Sequence, residues 1–181
     1  MGRTYDVIDH HLSTWLAAQP LFFVGTAPLA QDGHVNISPK GLADTFAVLG
    51  PAQVAYLDLT GSGIETVAHL RENGRICVMM CAFTGPPRIV RLHGRGHAVV
   101  PGDAAFEELS RQFPARAGTR AIVVVDVERI ADSCGYAVPT MAYTGDRDRL
   151  DKWTEGRGHD GLVAYRAEKN AASIDGLPGL A

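Results

Sequence analysis

Thr60-Gly61-Ser62-Gly63, with Thr66 close behind, stands where an apolar run gives way to a helical pattern. The residue types there suit an anion seat. Thr60, Ser62 and Thr66 supply hydroxyls, and Gly61 and Gly63 let the backbone come close to a ligand. The first N–H groups of a helix have no internal partner, so a helix opening between Ser62 and Glu65 can present them to a phosphate. The same residues also describe a plain strand-to-helix turn capped by Ser62, because the run is neither G-x-G-x-x-G nor a Walker loop. Upstream, strand alternation places Asn36 and Ser38 on one face and Val35 and Ile37 on the other, with Lys40 just past Pro39. If these groups form one site, Lys40→Ala weakens anion binding and leaves the fold intact. If Ser62 caps the helix, Ser62→Ala costs about 1 kcal/mol of stability.

Other constellations carry less. Arg91, His93, Arg95 and His97 share one face of a strand, but His93 and His97 are then roughly 13 Å apart, too far for one metal ion. That face suits an anionic ligand or an acidic partner. Cys77 and Cys81, also roughly 13 Å apart on one strand, cannot form a disulfide. No Ser-His-Asp set or carboxylate pair announces itself.

The elements that must position these groups follow from periodicity. Ile8, Leu12, Trp15 and Leu16 mark a helix over 5–19, stopped by Pro20. Residues 21–27 and 34–38 form a hairpin around Asp32-Gly33. A loop then leads to a strand over 53–59, the seat, and a helix over 64–73 closed by Gly74. Strands follow over 75–83, 88–100 and 120–130, with a helix over 103–113 capped by Asp103 between the last two. Residues 146–155 and 161–170 read as helices, and the chain ends extended.

With 181 residues, 46% of them hydrophobic, the chain has length for one domain with a substantial core. A net charge of −3 and the lack of a basic run argue against nucleic acid or a membrane surface as partner. No apolar run spans a bilayer and no signal-peptide core appears, so a cytoplasmic protein is expected.

Six strands joined largely as neighbours, with helices inserted after the third and fifth, indicate a mainly β barrel with peripheral helices. The order of Phe22–Ala27, Val35-Asn-Ile-Ser-Pro-Lys-Gly41, Val54-Ala-Tyr-Leu-Asp-Leu-Thr-Gly-Ser-Gly63, Thr66–Arg75 and Pro87–Gly94 resembles the pyridoxamine 5′-phosphate oxidase-like FMN-binding split barrels. The likeness covers roughly residues 20–130, leaving a helical and extended segment over 140–181. It implies a six-stranded antiparallel split barrel, and a homodimer holding FMN at the subunit interface. Carried over by motif, the cofactor-binding residues are Asn36, Ile37, Ser38, Lys40, Leu57, Thr60, Ser62, Gly63, Thr66, Arg88 and Arg91. Vitamin B6 enzymes of that family place adjacent Arg and Lys at the phosphate, where this chain has Gly63-Ile64-Glu65. They also end in a Trp- and Arg-bearing strand, to which Ile174–Leu180 offers nothing similar. The expectation is therefore a flavin-dependent oxidoreductase acting on a small molecule that is not a B6 vitamer. The alternatives are the deazaflavin F420 on the same barrel, or a non-catalytic flavin- or haem-binding protein.

Overall fold

The computed structural model describes residues 2–180. They run in the order β1 (Thr4–Tyr5), α1 (His10–Ala17), β2 (Phe22–Thr26), β3 (Asn36–Lys40), β4 (Phe46–Gly50), β5 (Gln53–Leu59), α2 (Glu65–Asn73), β6 (Arg75–Cys81), β7 (Arg88–Val99), α3 (Phe106–Ser110), β8 (Thr119–Cys134) and α4 (Arg149–Lys169). The fold is mainly β. Its eight strands pair antiparallel in the order β3-β2-β6-β7-β8-β5-β4, with β1 added to the far part of β8. The two ends of that order approach each other: Phe22 stacks at 5.4 Å on both Phe46 and Tyr56, and Lys40 bonds Asp58.

Strand alternation explains both layers of the core. Along β5, Val54 and Tyr56 join the inner cluster with Val24, Met80, Leu92 and Val123, while Ala55 and Leu57 join an outer cluster with Val99, Ile122 and Phe113. Leu12 and Leu16 of α1 complete the inner cluster, and Phe106 and Leu109, at α3, pack on the outer one. Each fully buried aliphatic side chain contributes about 1.5–3 kcal/mol over its exposed state. A strand apolar on both faces is the outcome that the run before the seat requires.

Several boundaries differ from the sequence reading. The expected helix over 5–19 is shorter, because Thr4 and Tyr5 pair with Ala131 and Ile130 of β8. Its start is set by Asp9, whose Oδ1 accepts the Leu12 N–H at 2.8 Å. β4 lies within the stretch read as loop, so eight strands replace the expected six. Asp103 does not cap α3; its carboxylate accepts the Val100 N–H in the preceding turn. The two C-terminal helices are α4, broken at Gly158 (φ 63°). Among the described residues, no helix is long and apolar enough to cross a membrane.

Candidate functional site

The β5–α2 junction is built as its sequence demands. β5 stops at Leu59, and both the N–H and the hydroxyl of Thr60 donate to the Gly118 carbonyl, at 2.7 and 2.8 Å. The helix begins at Glu65 with Ile64 as its capping residue and no side-chain cap, so Ser62 does not serve that role. Gly74 (φ 70°) ends the helix in the left-handed region, its N–H on the Leu70 carbonyl. Above the turn the glycines leave space. A Cβ at Gly61 would meet nothing within 4 Å, and one at Gly63 would meet only the Glu65 carboxylate, at 2.6 Å.

Charge is concentrated beneath the turn. Asp58 is fully buried, with Lys40 Nζ donating to one carboxylate oxygen at 2.7 Å and Arg120 Nε to the other at 2.8 Å. Burial alone would push the Asp58 carboxyl up, but the two cations overcome it and hold it below its ordinary value. Arg166 Nε donates to the Thr60 hydroxyl at 2.9 Å. Lys40, Arg120 and Arg166 thus stand against the single carboxylate of Asp58, an excess of two positive charges under the seat. On the outer side, Glu65 accepts only a long bond from the Ile174 N–H at 3.3 Å, and Asp175 is engaged by His34.

A second polar group lies alongside. Ser38 donates to Asn36 Oδ1 at 3.1 Å, and Asn36 Nδ2 donates to Thr66 Oγ1 at 3.0 Å and Thr26 Oγ1 at 3.2 Å. Thr26 Oγ1 lies 3.0 Å from His69 Nδ1. Burial holds His69 below its ordinary value despite Asp175, Glu65 and Glu72, so the ring is neutral at physiological pH. Thr66 accepts from Asn36, which leaves its own hydrogen free to donate elsewhere.

The structure therefore joins Asn36, Ser38 and Thr66 in one network, and seats Lys40 under the turn that carries Thr60, Ser62 and Gly63. It does not bring the other candidates there. Ile37 is 69% exposed, facing away from the polar side of β3, and Leu57 is core. Arg91 donates to Ser133 on the sheet. Arg88 lies over the rings of Tyr5 and Trp15, at 5.6 and 4.9 Å, and alone of the eleven lines a separate cavity of about 1250 Å³ with Phe22, Phe46, Phe83 and Tyr143. Asp58, Arg120, Arg166 and Asn170 escaped the sequence reading. Asp58 carried a signal, since a carboxylate inside an apolar strand demands partners.

The seat fits a phosphate. It offers open space over Gly61, an uncapped helix start, a Ser62 hydroxyl and a cationic excess of which Arg120 is buried, and the side chain over Gly63 is a flexible carboxylate.

The pyridoxamine 5′-phosphate oxidase family model matches residues 8–134. A pyridoxamine 5′-phosphate oxidase family protein of Aspergillus flavus, ustO, is 41% identical over 194 aligned positions, covering 97% of this chain and 77% of that protein. Two crystal structures of HupZ from Group A Streptococcus share the fold. Each is 21% identical, with TM-scores of 0.53 and 0.51, over 70% and 68% of this chain and 99% and 91% of theirs. On the sequence match over most of its length, the chain belongs to the pyridoxamine 5′-phosphate oxidase family.

Proposed function

We infer that the chain binds FMN, with the phosphate at the Thr60–Thr66 turn, and acts as a flavin-dependent oxidoreductase on a small molecule. The observation that carries this reading is the glycine turn at the α2 start, beside the Asp58 carboxylate that Lys40 and Arg120 share and a third cation, Arg166, on the Thr60 hydroxyl. When bound, the flavin supplies the hydride or electron transfer, and the protein binds, orients and tunes it. Gly61 and Gly63 admit the phosphate close to the backbone. Ser62 and Thr66 offer hydroxyl hydrogens, and the buried Arg120 with the part-buried Lys40 and Arg166 favours the dianion without touching it. Neutral His69 and Asn36 hold the Thr26 and Thr66 hydroxyls in fixed directions.

A homodimer with the flavin at the interface is part of the same reading. Val35 and Ile37 are 70% and 69% exposed beside an edge strand, an apolar surface suited to a second copy. F420 is the competing cofactor, because its acidic tail would suit the β7 cations. Arg91 and Arg95 there already engage Ser133 and the Asn73 carbonyl, which favours FMN.

The test is an FMN titration of the purified protein, followed by visible absorbance and flavin fluorescence, with F420 as competitor. A saturable flavin spectrum, with FMN preferred by about tenfold, or 1.4 kcal/mol, is expected. Nicotinamide oxidation well above that of free FMN is expected from the holoprotein. No FMN affinity overturns the reading, and binding without turnover leaves a flavin carrier.

A further inference from the structure

The matched family region ends at residue 134, yet the underside of the seat is built by residues beyond it. Asn170 is fully buried, and its amide is completely used. Oδ1 accepts from Arg120 Nη1 at 2.9 Å, while Nδ2 donates to the Gly61 carbonyl at 2.9 Å and lies 3.4 Å from the Ser62 carbonyl. Arg120 Nη1 adds a second donor to the Gly61 carbonyl at 3.2 Å.

A trans peptide unit is planar, with its C=O and N–H pointing in opposite directions. Drawing the Gly61 carbonyl inward therefore turns the Ser62 N–H outward, and drawing the Ser62 carbonyl inward turns the Gly63 N–H outward. Successive N–H groups presented this way form an anion-binding concavity. A Cβ at Gly61 would meet nothing within 4 Å, so the turn is open there, while the flexible Glu65 side chain stands over Gly63.

Asn170 is itself held from the C-terminal side. Its carbonyl accepts the Leu180 N–H at 2.7 Å, and its N–H donates to the Arg166 carbonyl at 2.8 Å. A Cβ at Gly179 would strike the Asn170 carbonyl at 2.2 Å, so the terminal strap packs directly against it.

We propose that Asn170 is a positioning residue of the seat, setting the Ser62 and Gly63 N–H groups toward a bound phosphate, and that the strap over 170–180 completes the site by fixing it. The inference rests on the flavin reading. An aspartate at 170 would keep the shape and the Arg120 contact but lose both donors to the turn, and would set a charge against the two carbonyls.

The experiment compares FMN with riboflavin, which lacks the phosphate, on wild type and Asn170→Asp by fluorescence titration. Wild type is expected to favour FMN by about tenfold or more, and N170D to lose most of that ratio while binding riboflavin as wild type does. Equal affinity of wild type for both flavins removes the phosphate reading, and this inference with it. A wild-type preference that survives in N170D overturns the inference alone. Should the variant fail to fold, hydrogen exchange on the wild type decides. FMN, and not riboflavin, is expected to slow the Ser62 and Gly63 amides, and equal effects of the two flavins overturn the role given to Asn170.

Discussion

Lys40 Nζ and Asp58 Oδ1 lie 2.7 Å apart, which commits the lysine to a fully buried carboxylate. On the proposed reading Lys40 would act on the phosphate only through the charge it leaves over. Removing it abandons half of the compensation for Asp58, leaving Arg120 alone. Lys40→Ala is expected to lower stability by about 1–3 kcal/mol in urea denaturation, in contrast to the intact fold that the sequence alone suggested. Unchanged stability with reduced FMN affinity would show that the lysine serves the ligand directly.

Ser62→Ala carries the opposite expectation. Because α2 is capped at Ile64 without a side-chain bond, and Ser62 is exposed, the substitution should change stability by no more than about 0.5 kcal/mol. Its effect belongs in flavin affinity. A loss near 1 kcal/mol in thermal unfolding would restore the capping role.

Glu65 lies over Gly63, its carboxylate 2.6 Å from where a Cβ on that glycine would stand and so beside the proposed phosphate seat. Glu65→Gln removes a like charge from beside the anion, so FMN should bind about three- to tenfold more tightly, an electrostatic gain that salt diminishes. Riboflavin affinity should not move. A weaker FMN complex in isothermal titration would mean that Glu65 supports the ligand.

The strap is tethered to the β2–β3 hairpin by His34, whose N–H and Nδ1 reach the two Asp175 oxygens at 2.8 and 2.6 Å. The Asp175 hydrogen bond and charge, aided by Asp32, hold His34 above its ordinary 6.5. The His34 bonds, with charge from His34 and His69, hold Asp175 below its ordinary 3.8. The His34 contribution is complete below 6.5 and is lost as pH rises through its raised folded value. The Asp175 contribution is complete above 3.8 and is lost as pH falls through its lowered one. The tether is therefore strongest between those ordinary values. NMR titration should show the residue 173–177 resonances moving with the His34 ring above that window, and His34→Ala should abolish the coupling.

Much of the scaffold was legible because local periodicity matched tertiary placement. The turn after Leu59, the helix to Asn73 with its Gly74 stop, and the alternating faces of β7 all follow from residue types. β4 was not legible, since Phe46–Gly50 is short, bulged between Val48 and Gly50, and enclosed by turn residues. β1 is two residues long and exists only by pairing with β8. The site was half legible. Asn36, Ser38 and Thr66 share a polar periodicity, but their cationic floor is assembled from residues far apart in the chain. Asn170 meets Gly61 across 109 positions, a relationship that no local pattern encodes.

That separation sets an order of assembly during synthesis. β5 and its turn leave the ribosome early, yet β5 gains its β8 partner only after Ile122–Asp126 have been made. The turn waits longer still. Until Arg166 and Asn170 emerge, the Thr60 hydroxyl lacks one donor and the Gly61 carbonyl lacks another. A nascent chain halted between residues 134 and 165 would thus carry every described strand and an unset turn, so on the proposed reading the phosphate seat is complete only once Asn170 has emerged.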